Sequence, residues 1–483
     1  MPTITKKTHQ ILLGFSLLHL LMAATLPLMF FEAHYALYGY YLQLSYVDHP
    51  PLMGWLQGVV QIFSSSELSL RLVPILLTLA TQYTLVAIAL RLYPKSTHID
   101  VALAWLLQLL PISYIVFMAA PDLPLALFSC LAFLFLLKII ERDSWAAWLG
   151  LGVYLGAAGL SKYTAITLVI SLPIALWLGG RGGRWLLSPK LWVAGAIAML
   201  LVSPVLVWNL DNNWLSFRFQ TAYQGGDGSW STMALASALA AQLATYSPFF
   251  LLLFIGARQL DAHQKKSLGL ALAWALPTFL LFFLQAGSGR SSPHWTYASW
   301  LALTPALAFC VLQLWPMTKK LRLAIYAWAS LLAVTALLVI ALPWVSLDDY
   351  KHPLKRQIGW DKAAKHGLTL QQAWVTELQS KGENTHLPTL MVYNWHYAEP
   401  LAWYARPEPV RDIRGKTSQF DQWFGTWAPG DRGILIQPTR HIEPPNVKLE
   451  QGACQPIDHI TTTIAGNKAQ VFHFYRCIWP TQS

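Results

Sequence analysis

The sequence predicts an α-helical polytopic membrane protein of about eleven transmembrane helices, followed by a small C-terminal α/β domain outside the membrane. Three observations predict it. Hydrophobic residues fill 55% of the 483 positions and charged residues only 12%, about half the roughly 25% charge of an average soluble domain. Apolar runs of membrane-spanning length recur along most of the chain. The charge is also uneven: residues 1–347 hold 19 Lys/Arg and 10 Asp/Glu, whereas 348–483 hold 15 and 13. The division expected is therefore a transmembrane domain over 1–345 and a soluble domain over 346–483. With 23 Trp and 21 Phe, a disordered chain is excluded and an ordinary soluble enzyme disfavoured.

A spanning helix needs about 20 mostly apolar residues, because hydrocarbon offers backbone polar groups no partner. Such runs fall at 11–30, 70–90, 101–118, 123–140, 145–159, 165–179, 191–207, 233–255, 267–284, 295–314 and 321–342. The first lacks a small-residue cleavage site before Glu32 and is read as a span rather than a signal peptide. With the amino terminus inside, fifteen Lys/Arg fall in cytoplasmic segments and only Arg71, Lys162, Arg218 and Arg290 in outward loops before the tail. That asymmetry sets the direction and places the carboxyl-terminal domain in the periplasm of an inner-membrane protein. The net charge of +11 then reflects topology and not a nucleic-acid partner.

Strand-like runs at 388–393, 433–437 and 469–475, with a helical 397–404, make the tail α/β. Cys454 and Cys477 lie beside such runs, 23 residues apart, and in an oxidising compartment a disulfide between them is plausible. Cys130 and Cys310 sit in apolar spans, where a thiol is usually a small core residue.

The polar chemistry collects in the outward loops. The first contains Glu32-Ala33-His34-Tyr35 and then Asp48-His49-Pro50-Pro51, in Tyr-rich amphipathic stretches that suit the membrane interface. Its two carboxylates could take a proton from an acceptor hydroxyl, orient a sugar, or hold a divalent metal with Asp122. Alternatively they cap helices, Asp48 before Pro51 and Asp122 before the span it opens. Asp122, in Pro121-Asp122, lies so near hydrocarbon that it is a site candidate. Lys162, Arg290 and His294, with His49, are candidates to meet a lipid-linked phosphate; snorkelling to lipid headgroups is the plainer alternative. No P-loop, dinucleotide fingerprint, paired zinc motif or nucleophile elbow is present.

At these residues the chain resembles the polyprenyl-phosphate-dependent glycosyltransferases of the C-type membrane fold. More narrowly, it resembles the bacterial branch grouped with dolichyl-phosphate-mannose protein mannosyltransferases and the aminoarabinose transferases of lipid A. The resemblance rests on Glu32-Ala33-His34-Tyr35 and Asp48-His49-Pro50-Pro51 sixteen positions apart, on Pro121-Asp122, on Gly159 to Thr164, and on His294-Trp295. It covers residues 10–345 and extends more weakly through 397–404 and 418–421. The family's first-loop Asp falls on Phe31, which accepts no proton, so Asp48 or Glu32 is left for the base. The resemblance implies transfer of a sugar from an undecaprenyl-phosphate donor to a periplasmic acceptor such as lipid A, lipopolysaccharide core or another surface glycan. It implies Asp48, Glu32 and Asp122 as catalytic candidates, and His49, Lys162, Arg290, His294 and Tyr35 as substrate-binding ones. A protein acceptor, or a non-catalytic protein that binds or transports lipid-linked glycans, is the alternative. Transport predicts ions in mid-span and internal repeats, and the sequence has few of the first and none convincing of the second.

Overall fold

The computed structural model describes residues 3–224, 229–289, 291–383, 387–413, 417–447 and 452–480. It divides into two compact units, Met1–Ala24 with Leu42–Leu337, and Thr25–Tyr41 with Leu338–Ser483. The later boundary falls between Leu337 and Leu338. The second unit also takes in the segment after the first span.

Among the described residues of the chain, eight helices are long and apolar enough to cross a membrane, from Lys6–Thr25 to Lys319–Trp344. A ninth crossing results if Thr232–Tyr246 and Pro248–Gln259, bent by 107°, form one span, and Ile99–Gln108 and Trp145–Ser161 are shorter apolar helices. Every one of the eleven predicted runs is thus helical, but three are cut short or broken for local reasons. The run 101–118 stops at Gln108, because Pro111 opens a 3-10 turn and lacks the N–H an α-helix needs there. The run 233–255 breaks at Ser247, whose φ of 99° precedes Pro248. The run 11–30 ends at Thr25, two residues before Pro27, and a separate helix starts at Phe30.

Large apolar side chains such as Leu200, Phe254 and Leu337 stand exposed on these helices, as lipid contact requires. Inside, small residues let backbones approach: a Cβ on Gly152 would meet the Ala194 carbonyl at 2.5 Å. Polar groups in the spans pair with one another. Thr167 and Thr278 are 2.6 Å apart, Ser171 Oγ donates to the Trp274 carbonyl, and Trp274 Nε1 donates to Ser129 Oγ. Arg71, read from the sequence as an outward-loop cation, is buried and donates to the Ala23 carbonyl at 2.6 Å.

The second unit is built on a five-stranded sheet of β1 (Thr389–Val392), β2 (Val410–Asp412), β3 (Arg432–Thr439), β4 (Ala453–Ile464) and β5 (Asn467–Ile478), in the order β2-β1-β3-β5-β4. β1 runs parallel to β2 and β3, while β5 is antiparallel to β3 and β4. The predicted runs correspond to β1, β3 and β5; β2 and β4 were not foreseen. β2 has only three residues, and β4 is a largely exposed edge strand with an irregularity at Pro456, where proline is tolerated. Cys454 and Cys477 face each other across β4 and β5 and are disulfide-bonded.

The helix Phe30–Tyr40, expected at the membrane interface, instead buries Glu32 through Gly39 within this unit. Its partners come from far along the chain: Phe30 packs edge-on to Trp360 and Tyr397, and Tyr38 to Trp423. Alternation within a short helix could not reveal such partners.

Candidate active site

In the transmembrane unit, several of the candidate side chains stand at or next to helix ends. Asp122 is the first residue of the helix Asp122–Glu141, where the helix dipole favours a carboxylate. Its side chain does not cap that helix. Lys162 Nζ donates to Asp122 Oδ1 at 2.7 Å, with both side chains 8% exposed. Lys162 reaches it from the C-cap of Trp145–Ser161, where the chain turns extended at φ −159° and ψ 142°. Burying either charge alone would be costly; burying the pair is tolerable because each compensates the other.

His294 and His49 also lie close enough to act electrostatically on Asp122. His294 sits in the turn Pro293–Thr296 with Nδ1 2.8 Å from Ser292 Oγ. That turn is fastened to the end of Thr232–Tyr246: Tyr246 donates its hydroxyl to the Pro293 carbonyl at 2.9 Å, and Thr296 and Trp300 both donate to Gln242 Oε1 at 2.7 Å. The Tyr246 and Tyr297 side chains lie in the neighbourhood of Asp122 as well. Neither tyrosine stood out in the sequence. The signal that could have found Tyr246 is the Ser247-Pro248 break directly after it, since interrupted spans are unusual outside functional regions.

Asp48 and His49 occupy a turn closed by the Tyr46 N–H to the His49 carbonyl at 3.2 Å. The helix Leu215–Gln224 holds that turn: Ser216 Oγ donates to the Tyr46 carbonyl at 2.7 Å, and Gln220 Nε2 to the Asp48 carbonyl at 2.5 Å. His49 Nε2 lies 4.0 Å from Asp48 Oδ2, and both side chains are 20% exposed. The Tyr163 phenol also interacts with Asp48. The next helix, Leu52–Gln61, has Pro51 as its N-cap, without a side-chain bond from that residue. Asp48 is a partly exposed carboxylate whose own carbonyl is held by Gln220.

Asp48, His49, Asp122, Lys162 and His294 all belong to the transmembrane unit. Glu32 and Tyr35 belong to the other. There Glu32 is buried, and its Oε2 accepts the Met29 N–H at 3.0 Å, the bond a helix needs at its amino end. Phe31, at the position of the family Asp, is 42% exposed. Arg290 lies outside the described residues.

No three His, Cys, Asp or Glu side chains among the described residues come together as a metal site requires. The positive charge at Asp122 comes from Lys162, so the donor set does not fit the divalent ion entertained for Asp48 and Asp122. No chemical step is drawn through one.

A family model described as dolichyl-phosphate-mannose-protein mannosyltransferase matches residues 48–208, a stretch that carries Asp48, Asp122 and Lys162. The lipid A galacturonosyltransferase RgtD of Rhizobium johnstonii is 26% identical over 334 residues, covering 67% of this chain and 69% of its own. The lipopolysaccharide core galacturonosyltransferase RgtA of the same organism is 28% identical over 217 residues, or 44% and 43% of the two chains. Among solved structures, ArnT from Cupriavidus metallidurans bound to undecaprenyl phosphate superposes with a TM-score of 0.61 at 14% identity, covering 96% of this chain and 97% of that one. The apo form of that protein gives 0.58 at 15%, covering 88% and 91%. At such identity the structural match speaks for the fold alone.

The fold is that of a multi-pass α-helical membrane protein of the C-type glycosyltransferase fold. Over residues 48–208 the chain is similar to the dolichyl-phosphate-mannose-protein mannosyltransferase family.

Proposed function

We propose that this protein transfers a sugar from a polyprenyl phosphate to lipid A or lipopolysaccharide core at the periplasmic face of the inner membrane. The observation that carries the reading is the buried Asp122–Lys162 pair, with His294 and His49 beside it, at the ends of membrane-spanning helices. A lipid-linked phosphate sugar needs a cation that stays in place at that depth and gains charge to neutralise as the bond breaks.

In the reaction, an acceptor hydroxyl oxygen attacks the anomeric carbon and the bond from that carbon to the phosphate oxygen breaks. The hydroxyl proton passes to Asp48, the more accessible carboxylate, a role worth about 10²–10⁴-fold in rate. The departing polyprenyl phosphate keeps the bonding electrons, and Lys162 with the neighbouring histidines stabilises its charge. Asp122 is a positioning residue: it accepts from Lys162 Nζ at 2.7 Å and compensates its charge where both are buried.

The names of the relatives supply the acceptor, and they make a galacturonosyl group the first sugar to test. Two observations support a periplasmic tail. The Cys454–Cys477 disulfide suits an oxidising compartment. Of the four outward-loop cations, Arg71 and Lys162 are buried and satisfied inside the protein, which sharpens the positive-inside bias. The two-domain division, with residues 346–483 as a periplasmic module, is proposed on the same grounds.

The test is mass spectrometry of lipid A and core oligosaccharide from a deletion strain, complemented with the wild type and with Lys162→Met. Loss of one sugar on deletion, restored only by the wild type, is expected. Unchanged lipid A and core together with a lost glycan on an envelope protein would overturn the acceptor in favour of protein glycosylation.

A further inference from the structure

The second unit holds a polar cleft of about 130 Å³ that the reaction above does not use. It lies between the turn Pro353–Arg356, Tyr397, the end of β3 and the start of β5, and three cations line it: Lys355, Arg356 and Arg440. Among the described residues no carboxylate pairs with any of the three. Lys355 is anchored on the Tyr350 carbonyl. Burial first, then Arg440 and Arg356, lower its pKa, so the three charges repel one another across the cleft.

A separate observation points the same way. Gln470 lines the cleft, is 6% exposed, and its buried Nε2 has no hydrogen-bond partner. A buried donor left unmade costs roughly 1–3 kcal/mol. Three cations and an orphaned amide N–H are all donors, and what completes them is a compact group of acceptor oxygens carrying negative charge. At about 30 Å³ per water, the cleft holds the equivalent of about four waters. That suits a phosphate head.

We propose that this cleft binds a phosphate monoester of the acceptor glycolipid through Lys355, Arg356, Arg440 and the Gln470 amide. The assignment to the acceptor rests on the function proposed above; the chemistry of the cleft does not. An anionic bilayer headgroup would offer the same oxygens, so the two sources must be separated.

The full-length protein in nanodiscs of zwitterionic lipid, with and without phosphatidylglycerol, would be titrated with bisphosphorylated lipid A, with its dephosphorylated form, and with inorganic phosphate, beside Arg356→Gln/Arg440→Gln. Both arginines are exposed, so the double variant should fold, and an unchanged thermal midpoint verifies it. The expected result is at least ten-fold weaker binding of the phosphorylated lipid by the variant, no change for the dephosphorylated one, and a loss in transfer that falls on KM. Lys355→Gln is the second variant and should weaken binding in the same direction. Equal affinities for phosphorylated lipid A in wild type and variants would overturn the site. A difference that appears only in nanodiscs containing phosphatidylglycerol would overturn the acceptor in favour of the bilayer. If wild type fails to glycosylate lipid A while the variants still lose phosphate-dependent binding, the proposed reaction falls and the cleft stands.

Discussion

Glu32 and Asp122 pose the same problem in the two units and meet different solutions. Both are acids in the first turn of a helix that follows an apolar run, and both are almost fully buried, at 2% and 6% exposure. Glu32 turns back on its own helix and accepts the Met29 N–H. Asp122 reaches forty residues along the chain to Lys162. An N-terminal acid is thus a local capping device in one setting and half of a long-range ion pair in the other. What separates them is the partner that folding delivers.

The comparison breaks most severely if the ion pair is removed. Lys162→Met leaves Asp122 buried without compensation, and about 3–5 kcal/mol of stability should go with it, along with transfer activity. Asp122→Asn together with Lys162→Met removes both charges and should recover most of the thermal midpoint while remaining inactive. A double variant no more stable than the single one would show that the pair is not the compensated unit described. The readouts are the midpoint in detergent and transfer from a polyprenyl-phosphate sugar.

A sharper contrast sets Asp48 against Glu32. Asp48→Asn should lower kcat about 10²–10⁴-fold, the range for a general base, with little change in stability. Glu32→Gln keeps an oxygen for the Met29 N–H, since Gln serves this capping position as Glu does, and should retain far more activity. The reverse order would move the base to Glu32 and compensate the Phe31 departure from its neighbouring position.

The smallest effect concerns pH in the tail unit. Burial lowers the His473 pKa, against the opposing pull of its bond to the His441 carbonyl and with a further lowering from His459. The folded state therefore keeps His473 neutral to a lower pH than the unfolded chain, which takes up its proton near pH 6.5. The stability it contributes is complete above that value and declines as pH falls through it toward the lower folded pKa. In a His473→Gln variant, the midpoint measured from pH 8 to pH 5 should fall less steeply than in the wild type. Identical slopes would mean that another group carries the acid sensitivity.

Much of this was legible along the chain. Runs of apolar residues identify spans because hydrocarbon demands internal backbone bonding over a fixed length, and Asp48, Asp122, Lys162 and His294 stood out as ions where such runs end. Tyr246 did not, because an aromatic residue at a helix end reads as ordinary interfacial packing. The membership of Phe30–Tyr40 in the tail unit was equally hidden: its partners Trp360, Tyr397 and Trp423 lie more than three hundred residues away.

By itself, then, the sequence determined the solvent of each region, the helical content of the spans and the polarity of the loops, since these follow from hydrophobic period and local charge. Only the tertiary structure decided which acid takes a cation, which one caps a helix, and which cations gather around the cleft in the tail. Those outcomes depend on contacts between positions far apart in the chain, where neither spacing nor propensity carries information.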